Sequence, residues 1–156
     1  MVCRMTKLKR SAVLPYAADD VYRIVNDVAR YPEFLPWCVS AVVLAAEPAA
    51  MEARLTVAAK GFKESFTTRN LLEPGRAIRL DLVDGPFSHF KGEWRFSEFG
   101  GGGGCRVELD LNFAFKGARR LLSRAVARSV GTMANAVMDA FCHRAHDQLG
   151  ASCGSK

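Results

Sequence analysis

Cys105, Val107, Leu109, Leu111, Phe113 and Phe115 fall on every second position, and the residues between them are polar except Ala114. Such strict alternation puts each set on its own face of a strand, so 105–115 reads as a half-buried antiparallel strand with one wet face. The same period recurs upstream. Met51, Ala53, Leu55, Val57 and Ala59 alternate with Glu52, Arg54, Thr56, Ala58 and Lys60, and Ile78, Leu80 and Leu82 alternate with Arg79 and Asp81. Phe90, Trp94 and Phe96 oppose Lys91, Glu93 and Arg95. Turn residues separate these runs at Glu47-Pro48, Lys60-Gly61, Glu73-Pro74-Gly75 and Asp84-Gly85-Pro86. Gly100 to Gly104 form a hairpin loop; a phosphate cradle would need a helix next, and a strand follows.

The period differs at both ends of the chain. Thr6 to Leu14 reads as a strand ended by Pro15. Val21, Ile24, Val25 and Val28 then place one apolar stripe on a short helix within Tyr16–Ala29, with Asp19 and Asp20 suited to its start. Pro32 fits the first turn of a second, very short helix that Pro36 stops. After Gly117, Leu122, Val126, Val130, Met133, Val137 and Phe141 describe a long amphipathic helix of about thirty residues, reaching to about Leu149. Gly131 inside it costs about 1 kcal/mol relative to alanine.

These elements predict an α+β helix-grip fold: a curved seven-stranded antiparallel sheet wrapped on one long C-terminal helix, with two short helices after the first strand. One helix cannot seal a whole sheet face, so a cavity between the two is expected. Tyr31-Pro32-Glu33-Phe34-Leu35-Pro36-Trp37-Cys38 would close its mouth. Each proline fixes its own φ, lacks an N–H and disfavours helix before it, which makes this segment a rigid bent strap rich in apolar side chains.

Composition narrows the class. At 156 residues with 49% hydrophobic and 24% charged, the chain is of single-domain size and ordinary globular composition. The domain is expected over 6–150, with flexible tails at 1–5 and 151–156. The longest apolar run, Ala41–Ala46, is far short of the roughly 20 residues of a membrane span. No apolar stretch of signal-peptide length follows the basic Arg4, Lys7, Lys9 and Arg10, and Met5 is a second candidate start. Five cysteines without a CxxC pair suit reduced thiols, so a cytoplasmic protein is expected, with peripheral contact at the inner membrane as a further option. A net charge of +6 favours anionic partners and does not choose among them.

Several stretches together carry a family likeness: Leu14-Pro15-Tyr16, Val25-Asn26-Asp27-Val28, the 31–38 strap, Phe66-Thr67-Thr68-Arg69-Asn70, Leu82-Val83-Asp84-Gly85-Pro86-Phe87 and Gly92-Glu93-Trp94-Arg95-Phe96. Over about residues 6–150 the chain resembles the START-like helix-grip (SRPBCC) family, which contains coenzyme-Q-binding proteins and the bacterial ribosome-association toxins named RatA. The Thr-Thr-Arg-Asn and Val-Asp-Gly-Pro-Phe stretches pull towards the RatA branch. The glycine run and the extra N-terminal residues depart from the pattern. The resemblance implies a non-catalytic cavity protein that supports respiration by binding an isoprenoid quinone (ubiquinone) or a similar lipid. For the RatA branch it implies binding to the large ribosomal subunit, blockage of subunit joining and a small ubiquitin-like antitoxin partner. DNA is not among the expected partners.

Candidate chemistry follows. Phe34, Leu35 and Trp37 would line or gate the cavity entrance, or else complete the core at the sheet's open end. Phe66, Trp94, Phe96 and Phe113 from the sheet, with Met133, Val137 and Phe141 from the helix, would wall the cavity, although aromatics on such faces also simply pack together. Lys116, Arg119, Arg120, Arg124 and Arg128 form a basic stripe at the start of the long helix, with no acid between Asp110 and Asp139. Cations there oppose the macrodipole, which points to docking on an anionic membrane surface or on ribosomal RNA; a solvated face is the alternative. Cys142, His143, His146 and Asp147 invite a metal, but His143 and His146 at i, i+3 need ligands from elsewhere, and a helix C-terminus explains them. A cyclase-type enzyme is the third functional class. Its available acids and bases, Glu64, Arg69, Glu93 and Arg95, mostly alternate away from the apolar face.

Overall fold

The computed structural model describes residues 5–59, 62–99, 101, 103–115 and 124–150. In chain order the elements are β1 (Thr6–Leu14), α1 (Ala18–Asn26), a 3-10 helix (Val28–Glu33), β2 (Cys38–Glu47), β3 (Ala50–Ala59), β4 (Phe62–Glu73), β5 (Ala77–Asp84), β6 (Phe87–Phe99), β7 (Gly104–Phe115) and α2 (Arg124–Ala145). The seven strands make one sheet in the order β1-β7-β6-β5-β4-β3-β2, antiparallel throughout. The architecture is therefore the expected helix grip. Its two edges, β1 and β2, are joined by α1 and the 3-10 helix, which carry the chain from one side of the sheet to the other.

α1 ends two residues earlier than the apolar stripe suggests. Asp27 leaves helical geometry at φ −85°, ψ 66°, and Val28 belongs to the 3-10 helix. Pro32 supplies the reason: in a continuing α-helix it could not donate to Val28, and its ring would crowd that carbonyl. The buried face of α1 is Ala18, Val21, Tyr22 and Val25.

Register shifts in β2 (Cys38/Ser40 and Val43/Ala45), at Val83 of β5 opposite Thr67/Thr68, and at Phe87/His89 in β6 bend the sheet. Its concave face meets α1 and α2 in a core that includes Trp94, Phe96, Val107, Leu109, Met138, Phe141 and Ala145. Ala145 is fully buried, so α2 lies tight against the sheet at its C-terminal end. The last turn, His146–Gly150, is π-helical and anchored where the Tyr16 hydroxyl meets His146 Nδ1 at 2.6 Å. Residues 1–4 and 151–156, which hold most of the expected tails, fall outside the described residues, as do Cys3 and Cys153.

Candidate functional site: an apolar cavity beneath the long helix

Between the middle of α2 and the sheet lies a cavity of about 170 Å³. The floor comes from inward positions of five strands: Leu55 and Val57 of β3, Phe66, Thr68 and Asn70 of β4, Ile78 and Leu80 of β5, Phe90 and Trp94 of β6, and Leu109, Leu111, Phe113 and Phe115 of β7. Spacing of two along each strand puts these side chains on the concave face. Met133, Ala134, Val137 and Phe141 of α2 form the roof at helical spacing. Gly92 keeps the floor low, because a Cβ there would sit 3.0 Å from Leu80 Cδ1 and 3.1 Å from Leu111 Cδ1.

The strap forms the mouth. Leu35, only 2% exposed, lines the cavity together with Tyr31 and Trp37. Its backbone is fixed by Leu35 N–H to the Tyr31 carbonyl at 2.9 Å, Cys38 N–H to the Leu35 carbonyl at 2.9 Å, and Ala58 N–H to the Trp37 carbonyl at 2.8 Å. Phe34 points elsewhere. It packs edge-on against Phe141 at 5.1 Å, and the Arg144 guanidinium lies 4.9 Å from its ring. Arg144 also pairs with Glu33 at 2.7 Å, so one α2 side chain grips two consecutive strap residues.

Polar groups on the cavity wall are few. Among the described residues the lining contains no Asp, Glu, His, Lys or Arg. The Tyr31 hydroxyl donates to the Val25 carbonyl, and burial, followed by Cys38 and Asp27, pushes its pKa well above the ordinary value. Its proton is thus held. The Thr68 hydroxyl donates to Asn70 Oδ1 at 2.8 Å, and both residues are buried. Such a wall can take up an uncharged hydrophobic molecule; burying a lone charge against it would be costly.

Of the ten residues expected at the entrance and walls, the structure brings Leu35, Trp37, Phe66, Trp94, Phe113, Met133, Val137 and Phe141 round this cavity. Phe34 and Phe96 lie outside it. Phe96 is 5% exposed and packs in the core, edge-on to Tyr22 at 5.5 Å and stacked on Trp94 at 6.4 Å. The basic stripe falls in the least described part of the chain. Lys116, Arg119 and Arg120 lie outside the described residues, and Arg124 and Arg128 belong to α2 with their side chains outside them. None of Glu64, Arg69, Glu93 and Arg95 lines the cavity. Arg69 pairs with Glu47 at 3.8 Å, and Glu93 with Arg95 at 3.4 Å, as surface pairs worth little.

Sequence reasoning passed over Tyr31, Thr68, Asn70, Phe87 and Phe115 as lining residues. Thr68 and Asn70 were readable, since they continue the inward period of Phe66. Phe87 was obscured by the irregular start of β6, where it stacks on Phe115 at 5.0 Å and meets Phe66 at 5.3 Å.

Residues 14–141 match the family described as polyketide cyclase/dehydrase and lipid transport. The chain belongs to this family. Within it, the chain is 43% identical over 145 residues to the ribosome association toxin RatA of Pseudomonas aeruginosa, covering 93% of this chain and 99% of that protein. It is 37% identical over 147 residues to the RatA of Escherichia coli, covering 94% and 91%. The mitochondrial coenzyme Q-binding protein COQ10 homolog B of Xenopus laevis is 31% identical over 109 residues, covering 68% of this chain and 45% of that protein. Among solved structures, an 18 kDa protein of Caulobacter crescentus matches at 31% identity and TM-score 0.71, covering 93% of this chain and 99% of that one. The Zhui aromatase/cyclase of a Streptomyces species matches at TM-score 0.78 over 94% of this chain and 96% of that one. Its identity is 20%, so that likeness concerns the fold alone.

Proposed function

We propose that this family member is a RatA-type ribosome-association protein, binding the large ribosomal subunit and blocking subunit joining. Its cavity, on this reading, holds an uncharged hydrophobic ligand. The observation that carries the ribosomal part is the 43% identity to a RatA running through 93% of this chain and 99% of that protein. The net charge of +6 agrees with a polyanionic partner. Sedimentation of the purified protein with separated ribosomal subunits tests it. Co-migration with the large subunit, weakened steeply by salt, is expected; protein left at the top of the gradient at low salt would overturn the assignment.

A second reading, an isoprenoid-quinone carrier that supports respiration, is favoured by the cavity itself: an apolar chamber under a helix, with two tryptophans and several phenylalanines in its wall. No helix among the described residues is long and apolar enough to cross a membrane. A cyclase would need an acid or base at the reacting atoms. Tyr31 is the one ionisable phenol on the described wall and its proton is engaged, so we assign the cavity to binding.

A further inference from the structure

Thr68 and Asn70 interrupt an otherwise hydrocarbon and aromatic wall, and both are nearly closed to solvent, at 6% and 5% exposure. They share the inward face of β4 with Phe66 at a spacing of two, and all three line the chamber. The Thr68 hydroxyl gives its proton to Asn70 Oδ1 at 2.8 Å. That bond fixes which end of the amide faces which way and leaves the two Nδ2 protons as the free donors. Among the described residues, the hydrogen bond of the Asn70 side chain is the one its Oδ1 accepts from Thr68. Asn70 itself lines the cavity, so its amide stands at the chamber wall.

An amide donor aimed into an apolar chamber that has no charged side chain on its described wall selects for a narrow chemistry. We propose that Asn70, oriented by Thr68, is the anchor for a carbonyl oxygen on an uncharged, mainly hydrocarbon ligand, the carbonyl entering first and the apolar remainder lying under α2. A carboxylate would bring a charge that nothing on the described wall neutralises. A pure hydrocarbon would leave the Nδ2 donors unmatched, which disfavours it relative to a carbonyl of the same shape. This proposal rests on the cavity being a ligand site, and it adds the ligand's chemical class and the residue that reads it.

The chain's two tryptophans, Trp37 and Trp94, both line the cavity, so their fluorescence reports occupancy directly. The test titrates the full chain with three probes of similar size: menadione, a neutral diketone; 2-methylnaphthalene, its hydrocarbon counterpart; and 2-naphthoate, an anion. Wild type is expected to bind menadione most tightly and 2-naphthoate least. Asn70→Leu keeps the shape and removes the donors, and should weaken menadione about tenfold while leaving 2-methylnaphthalene unchanged or tighter. Thr68→Val, which frees the amide to rotate, should give a smaller loss in the same direction. Thermal unfolding of each variant verifies that it is folded. If wild type binds menadione and the hydrocarbon equally and Asn70→Leu changes neither, the anchor is overturned while the cavity remains a ligand site. If wild type binds none of the three, the cavity reading fails and takes the anchor with it.

Discussion

Gly85 shows how a single residue positions the cavity wall. Its φ of +152° is a region that L side chains rarely adopt, and a Cβ there would lie 2.6 Å from Phe66 Cβ. The Asp84-Gly85-Pro86 turn can therefore press against Phe66 only because no side chain intervenes. Gly85→Ala should cost about 2–3 kcal/mol, measured by chemical denaturation, from strain plus the displaced phenyl ring. Cys105 sits at the same scale. It is fully buried on β7, and burial, then Glu98 and Cys142, pushes its thiol from 9.0 up to about 11. The unfolded chain loses this proton first, so rising pH favours unfolding from about 9, and the loss is complete above about 11. Below that window the thiol has no effect. Melting temperature followed through it should fall less steeply for Cys105→Ala than for wild type; parallel curves would show that the thiol does not couple to folding.

At the scale of elements, the strap and α2 work as a pair. Arg144, through Glu33 at 2.7 Å and the Phe34 ring at 4.9 Å, ties the C-terminal end of α2 to the mouth of the cavity. Arg144→Met keeps much of the stem and removes both charge contacts. It should destabilise the fold by only about 1 kcal/mol, since Glu33 is half exposed, yet speed dissociation of a bound probe in stopped-flow displacement. Unchanged release would mean that the strap is not the exit. Val137 lines the roof from α2, so Val137→Arg would place a guanidinium in the chamber. That variant should lose ligand while its melting transition remains cooperative.

The elements themselves were legible in the sequence because a half-buried strand and an amphipathic helix each write their period directly into it. Strands β3, β5, β6 and β7, each with one apolar face, follow from alternation alone. Phe34 and Phe96 were not legible in the same way. Both belong to apolar patterns that meet the interior, but whether an inward ring meets a cavity or the core depends on where α1 and α2 leave the sheet, which is a long-range property. Phe96 lies under Tyr22 of α1, and Phe34 is turned towards Arg144 by the end of the 3-10 helix. Asn70 was the opposite case. Its inward position was readable from Phe66 by spacing of two, but a polar side chain breaks the apolar alternation that marks an inward face.

At the scale of the whole molecule, a helix-grip domain with a hollow interior and a net charge of +6 is proposed to work on a polyanionic assembly. The interior and the basic residues between Lys116 and Arg128 make separable predictions. Reversing Arg120, Arg124 and Arg128 to Glu should weaken sedimentation with ribosomes or capture by anionic vesicles, and should flatten the salt dependence of either. It should not alter probe binding in the cavity, whose described wall carries no charged side chain. Loss of both properties together would mean that interior and surface are one functional unit. The central claim is that the hollow is a ligand chamber and not merely a packing gap. Solvent extraction of the purified, folded protein, followed by mass spectrometry of the extract, tests it most directly. An uncharged, carbonyl-bearing lipid in near-stoichiometric amount is the predicted result; an extract without lipid, from protein that also fails to take up added menadione, would contradict it.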